Sequence, residues 1–583
     1  MTNTPNETFI PSKDASLESS IATLQAKLLA LDIHVEEKSW LNEIEGIWSV
    51  HVINRDCPRL FTNGKGASQL AARASALGEY FERLGTNYLW TDFYLGEEIA
   101  NANWVHYPNE QWFAVDGDDW PSSILTPELH QFYNPEGTVP ASQLVDLNSG
   151  NQERGICTIP YTRLSDGKTV LFPVNLIGNI YVSNGMSAGN TMMEARTQAL
   201  AEIFERNIKN KIIAEGICLP DVPEEVIARY PHIAAGIKGL RDAGYGILVK
   251  DASLGGQYPV MNVTLLHPDD QGCFASFGAH PRFEVALERS LTELIQGRAL
   301  DSLSGFVKPS FDMEEIADPQ NLEIHFVDSS GVISWEFLRS KPDYEFVDWN
   351  FGTSTQEDYH WSINKIQESG YDLYIADFEH LGVYTCRIFV PGMSEIYPVE
   401  ELEWQNNTVG NQVRPYAQRL QSLSKEESAE LLDILLDINF QDDLHVYILI
   451  GLCVDANTAW QDLRIGELKT LAAIAAGDSD QILDACEWIA QINDLPTERL
   501  KVYSCIADLV QIAQNAISSD IELFQEKLAL MYGYATLQQA LSLFNQETQY
   551  FGLNDLGSNY EGSKMHQQLL AAYKKVRAPQ LVK

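Results

Sequence analysis

ARASALGEYFER (residues 72–83) and ARTQALAEIFER (residues 195–206) lie far apart in the chain and close on the same charged pattern, Glu-x-x-Glu-Arg. The first carries Glu79, Glu82 and Arg83; the second carries Glu202, Glu205 and Arg206. A weaker third copy, ALERSLTELIQG (residues 286–297), keeps Arg289 and Glu293. Each copy follows a glycine-containing segment that reads as a turn: NGKGAS (63–68), NGMSAGN (184–190) and FGAHP (277–281). Recurrence of this kind marks one structural unit used several times.

On a helix, residues three and four apart are neighbours, so Glu79, Glu82 and Arg83 project from one face. Leu77, Tyr80, Phe81 and Leu84 then turn to a core. The second copy divides the same way, with Leu200, Ile203, Phe204 and Ile208 inward and Glu194, Glu202, Glu205 and Arg206 outward. Two readings compete. One is a solvated face with Glu–Arg pairs worth tenths of a kcal/mol each. The other is a site in which hard divalent ions bridge carboxylate and phosphate oxygens, with arginines and glycine turns on the phosphates. Solvent constrains only polarity, whereas both copies agree on which position is Glu, which is Arg and which aromatic stands between.

The wider sequence limits the alternatives. The chain has 583 residues, 45% hydrophobic and 21% charged, room for more than one domain and a sizeable core. A net charge of -41 opposes generic attraction to nucleic acid or anionic membranes. No apolar run reaches the ~18 residues of a membrane span. The opening MTNTPNETFIPSKD lacks the regions of a signal peptide, so a cytoplasmic location is expected. Eight dispersed cysteines without a CxxC pair read as buried free thiols, and no histidine has zinc-ligand spacing. Walker-type GxxxxGK and HExxH motifs are absent. GMSAG (185–189) matches a GxSxG nucleophile elbow, which makes a hydrolase using Ser187 a rival reading; no HGGG-type oxyanion segment accompanies it. Lys65, inside NGKG, is a further phosphate-contact candidate.

The pattern predicts a mixed α/β (α+β) region over 1–403 and an all-α region over 404–583. Residues 16–31 read as an amphipathic helix, and 47–53, 169–182, 258–266, 273–277, 373–376 and 382–390 as strands, with 90–155 irregular. In the C-terminal region Ser424 and Glu427 form a capping box, and Gly477 is a C-cap candidate. Leu468 and Tyr503 stand about a tetratricopeptide period apart, suggesting stacked helical hairpins for oligomerisation or partner contacts.

SNGMSAGNTMMEARTQALAEIFER (183–206) and GAHPRFEVALERSLTELIQGR (278–298), with FIPSKDASLESS (9–20) and VPGM (390–393), resemble the YcaO family. The resemblance implies an ATP-binding fold whose acidic helices hold Mg²⁺ about the phosphates, and ATP-dependent activation of a peptide amide oxygen. It implies ATP contacts from Lys13, Ser20, Arg83, Ser187, Asn190, Arg206 and Arg289, and Mg²⁺ contacts from Glu79, Glu82, Glu194, Glu202, Glu205 and Glu293. Azoline-forming members end in a PxPxP tail, whereas this chain ends KKVRAPQLVK, with Pro579 alone. Peptide cyclodehydration or thioamide formation is therefore an alternative. The expected role is assisting a radical-SAM methylthiotransferase in β-methylthiolation of a small-subunit ribosomal protein, by a homodimer. A non-catalytic ATP-binding scaffold that recruits the transferase is the second alternative.

Overall fold

The three glycine-bearing segments are strand ends in the computed structural model, and the acidic helix follows each of them. The structure describes residues 7–146, 154–399, 410–438, 440–489, 495–514 and 520–582. The first sheet has the order β1 (Val35–Ile44), β2 (Ile47–Asn54), β3 (Phe61–Gly66). A six-stranded sheet follows β4 (Gln111–Phe113), β5 (Ile156–Arg163), β11 (Tyr374–Phe378), β12 (Tyr384–Phe389) and β7 (Met186–Gly189), with β6 (Thr169–Pro173) beside β5. The third sheet runs β10 (Cys273–Ala279), β9 (Val260–Leu266), β8 (Gly246–Asp251). All these pairings are antiparallel.

The acidic helices span Gln69–Gly85, Met192–Glu215 and Phe283–Leu294. Ser68 and Thr191, both extended, cap the first two by accepting the Ala71 and Glu194 amides at 3.2 Å. What reads as turn glycine in the sequence is here a space requirement. A Cβ on Gly64 would sit 2.7 Å from the Ala76 Cβ, one on Gly189 2.6 Å from the Ala195 nitrogen, and one on Gly278 2.5 Å from the Ser290 nitrogen. Glycine lets each helix backbone lie directly on its strand.

Each helix packs on its own sheet and leans on the next. The first lies on β2 and β3 and reaches β7 and β12; the second lies on β7 and β12 and reaches β9 and β10; the third lies on β9 and β10 and reaches β2 and β3. Three helix–sheet units thus close in a ring, which brings the three acidic faces inward to one place.

Several expectations hold and others change. The strands expected at 47–53, 258–266, 273–277, 373–376 and 382–390 are present. The run 169–182 is strand only to Pro173 and then winds through helical turns at Val174–Leu176 and Ile177–Tyr181. β1 is an additional edge strand whose exposed Glu36, Glu37, Lys38 and Ser39 hid it in a polar sequence. Among the described residues, no helix is long and apolar enough to cross a membrane.

The C-terminal region is helical. Ser424 and Glu427 make the reciprocal capping box, the Ser424 amide donating at 2.8 Å and the Glu427 amide at 3.2 Å. Gly477 ends the helix Ile465–Ala476 in the left-handed region, φ 79°. Buried Glu467 joins that helix to Thr497–Gln514, meeting Arg499 at 2.6 Å and the Tyr503 hydroxyl at 2.5 Å. The final helix, Lys564–Arg577, packs elsewhere. Its Leu569, Leu570, Tyr573 and Val576 share a core with Leu77, Tyr80, Phe81 and Leu84 on the back of the first acidic helix.

Candidate nucleotide and metal site

The outward faces of the acidic helices meet as a mixed cluster of acids and bases. Arg83 pairs with Glu79 and Arg206 with Glu202, each at 2.5 Å along its own helix. Across helices, Arg289 Nη2 lies 3.5 Å from Glu205 and its Nη1 donates to Gln198 at 2.8 Å. Lys65 reaches from β3 to Glu293. Arg289 and Glu293, four residues apart, each pair with another element, because the third helix faces β3 and the second helix at once. Glu205 also accepts the Ala279 amide at 3.2 Å, tying the second helix to the end of β10.

The electrostatics show how close these groups stand. Burial raises the Glu82 carboxyl well above the usual range, Glu202 and Glu79 raise it further, and Arg83 and Arg206 oppose. Burial likewise raises Glu202, with Arg206 opposing and Glu205 adding, and it raises Glu79 against Arg83 and Lys65. Burial and Arg289 lower the Lys65 ammonium to about 8, against Glu205, Glu79 and Glu202. Lys209, one turn beyond Glu205, is lowered to about 8 by burial; its Nζ donates to the His325 carbonyl at 2.7 Å.

A second polar network sits at the start of the second acidic helix. Glu194, 3% exposed, pairs with Lys13 at 3.2 Å and accepts the Asp14 amide at 2.9 Å. Asn190 Nδ2 donates to both Glu194 oxygens at 3.1 and 3.0 Å, and the Ser20 hydroxyl donates to Asn190 Oδ1 at 2.8 Å. Asp14 accepts from Thr191 at 2.5 Å and Thr355 at 2.6 Å, anchoring the N-terminal segment. The predicted residues therefore form two groups: Lys13, Ser20, Asn190 and Glu194 in one, and the remaining glutamates and arginines in the other. The eight residues from Glu194 to Glu202 separate them by ~12 Å along one helix. Buried His280 stands between the groups, its pKa lowered well below the usual range by burial, Arg289, Arg282 and Lys13.

A family model described as YcaO cyclodehydratase, ATP- and Mg²⁺-binding, matches residues 63–394, and one described as the YcaO cyclodehydratase C-terminal domain matches residues 410–580. The chain belongs to the YcaO family. It is 48% identical over 576 residues, 98% of both chains, to the ribosomal protein S12 methylthiotransferase accessory factor YcaO of Escherichia coli (strain K12). It is 47% identical over 579 residues, again 98% of both, to an uncharacterized protein of Haemophilus influenzae. Among solved structures it is similar to YcaO from Methanopyrus kandleri bound with AMPPCP and Mg²⁺, at TM-score 0.41 and 17% identity over 65% of this chain and 92% of that one. A heterocyclase in complex with substrate and cofactor gives TM-score 0.46 and 16% identity over 67% of this chain; the match spans 55% of that longer chain.

The donor set of this YcaO chain suits magnesium and phosphate. Its carboxylates are hard oxygen ligands, and Lys65, Arg83, Arg206 and Arg289 each already hold one of them. Divalent ions would take over the carboxylates and leave those cations for phosphate oxygens. Among the described residues, the only three ligating groups converging within 4.8 Å are His106, Asp146 and Cys157, none of them a predicted ligand. Ser187 lies apart from the open cluster. It is 1% exposed within β7, and its hydroxyl donates to the Ala188 carbonyl at 3.3 Å. A nucleophile elbow needs an exposed hydroxyl on a strand-to-helix turn, so this placement opposes the hydrolase reading. A larger open cavity of about 460 Å³ lies in the loop-rich insertion, lined by Asp118, Asp119, Trp120 and His130, and contains none of the predicted residues.

Sequence reasoning missed Asp14, Lys209 and His280. Lys209 stands four residues after Glu205, the one spacing signal that could have found it. His280 and Asp14 join the site only through tertiary contacts.

Proposed function

We propose that this chain is an ATP- and Mg²⁺-dependent accessory factor in the β-methylthiolation of ribosomal protein S12, using ATP at or near a peptide amide. Convergence of the Glu79, Glu82, Glu202, Glu205 and Glu293 side chains with four cations at the meeting point of three helices carries the proposal. The role of the Escherichia coli relative, which matches 98% of the chain, supplies the process.

In this reading Lys13, Ser20 and Asn190 contact the nucleotide, and Glu194 beside them is a further Mg²⁺ ligand. Glu79, Glu82, Glu202, Glu205 and Glu293 hold Mg²⁺. Arg83, Arg206 and Arg289 lie against phosphate oxygens, and their charge stabilises the more anionic transition state. ATP bound with Mg²⁺ supplies a phosphoryl group that turns an amide oxygen, otherwise a poor leaving group, into phosphate. The protein's task is alignment and charge neutralisation, for which the ring of helices is a rigid frame. A homodimer, and contacts with the methylthiotransferase through the helical region, belong to the same proposal.

A second reading is a scaffold. The internal ion pairs complete the cluster without ligand, so the site could serve the fold while the helical region recruits the transferase. Glu202→Gln and Glu205→Gln separate the two. Under the proposal both variants, folded by thermal melting, lose ATP turnover and cellular S12 modification together, by at least tenfold. Modification persisting at the wild-type level without turnover would leave only the scaffold.

A further inference from the structure

The face of the first sheet turned away from its helix carries a polar hollow that neither the core nor the acid cluster uses. Strand pairing aligns Ser39, His51 and Asn63 in one row and Leu41, Ser49 and Lys65 in the next. Both rows lie on one face, because Gly64 and Gly66 between them turn to the helix. A cavity of about 180 Å³ opens there, lined by Ser39, Leu41, Ser49, Val50, His51 and Asn63, with Gly297 at its rim. Its walls are fastened in place. His51 Nδ1 and Asn63 Oδ1 are 2.8 Å apart, Gln296 Nε2 donates to the Asn63 carbonyl at 3.1 Å, and the Gly297 amide donates to Ser49 Oγ at 3.2 Å. The residues just beyond the third acidic helix therefore form one wall. Lys65 follows Asn63 on the same face, ~7 Å further along the strand, and its ammonium reaches Glu293. The strip leads from the cavity straight into the acid cluster.

We propose that this cavity is the acceptor subsite. It takes a short polar side chain, with its backbone amide, from an extended basic segment of a polypeptide, and Lys65 marks the passage from that amide to the cluster. The proposal rests on the amide-activating reading above. Beside Leu41, the serine hydroxyls, the His51 imidazole and the Asn63 carboxamide offer both donors and acceptors, the complement of a peptide group. The volume admits a short side chain. Glu36, Glu43 and Glu45 are exposed on β1 and the turn after it, and the whole chain carries -41, so a basic segment is the electrostatic match.

Ser39 is exposed on the edge strand, so Ser39→Trp fills the hollow without entering the core. His51→Ala removes a wall, as a second variant should the first fail to fold. Two quantities are measured for each: calorimetric affinity for AMP-PCP with Mg²⁺, and the methylthiolated fraction of S12 by mass spectrometry in cells carrying the variant as sole copy. The expected result is nucleotide affinity within twofold of wild type and modification reduced at least tenfold. Modification within twofold of wild type in both folded variants overturns the proposal, as does equal loss of nucleotide binding and modification. A wild-type protein that binds no AMP-PCP with Mg²⁺ sinks the nucleotide reading instead, and this subsite with it.

Discussion

Glu82 stands among carboxylates of its own sign, and burial, Glu202 and Glu79 hold its proton on well above the usual range. The folded chain then keeps a proton that the unfolded chain has lost. Its contribution to stability therefore falls as pH rises from the ordinary carboxylate range through the raised pKa. Glu82→Gln removes that penalty, so the ligand-free variant should melt higher than wild type at pH 8, by about 1–2 °C, with less difference near pH 4.5. Its Mg²⁺-dependent nucleotide binding should weaken at least tenfold, read by calorimetry. A variant that melts lower and binds normally would place Glu82 outside the site. Lys65 gives the opposite pair of trends. Its ammonium is depressed to about 8, so between there and the unfolded value the unfolded chain binds more protons and Lys65's contribution to stability rises with pH. Over the same range the site loses a cation. Nucleotide affinity should decline above pH 8 in wild type and decline less in Lys65→Arg, measured as calorimetric Kd from pH 7 to 9.5.

The acidic helices turn on small residues that the sequence shows and whose purpose it conceals. Gly64→Ala forces a Cβ into the Ala72 carbonyl and Ala76 backbone, where neither partner can yield. It should cost ~3 kcal/mol or more, read as a lowered denaturation midpoint. Gly78, inside the same helix, has nothing within 4 Å of its Cβ position, and Gly78→Ala should stabilise by ~1 kcal/mol. The same contrast explains what could be read in advance. The helices were legible because Glu, Arg and core positions recur at helical spacing. The glycines suggested turns because a backbone pressed against another helix has no one-dimensional signature. β1 hid because an edge strand with exposed Glu36, Glu37 and Lys38 lacks apolar alternation. The tract 169–182 looked like one strand because a buried helical turn and a buried strand are equally apolar. At the site, acids and arginines were legible from repetition, whereas their partners were not. Glu293 meets Lys65, and Glu194 meets Lys13, only once the sheets close the ring.

Across the whole molecule, the last helix backs the first acidic one. The Tyr573 ring packs edge-on to Trp90, centroids 5.2 Å apart, and its hydroxyl donates to the Val105 carbonyl. Tyr573→Ala should cost ~3–5 kcal/mol of stability. Because the lost contacts brace Leu77, Phe81 and Leu84, amide exchange should quicken through residues 77–85 and Mg²⁺–nucleotide affinity should fall, although no residue of the cluster is altered. Unchanged exchange in that helix would refute the bracing. This long-range closure also bears on synthesis. Chains emerge from the ribosome N-terminus first, so the hydrophobic back of residues 77–84 lacks this cover until residues 564–577 have been made. A nonsense codon between residues 564 and 569 would therefore damage a pocket whose own ligands were translated hundreds of codons earlier.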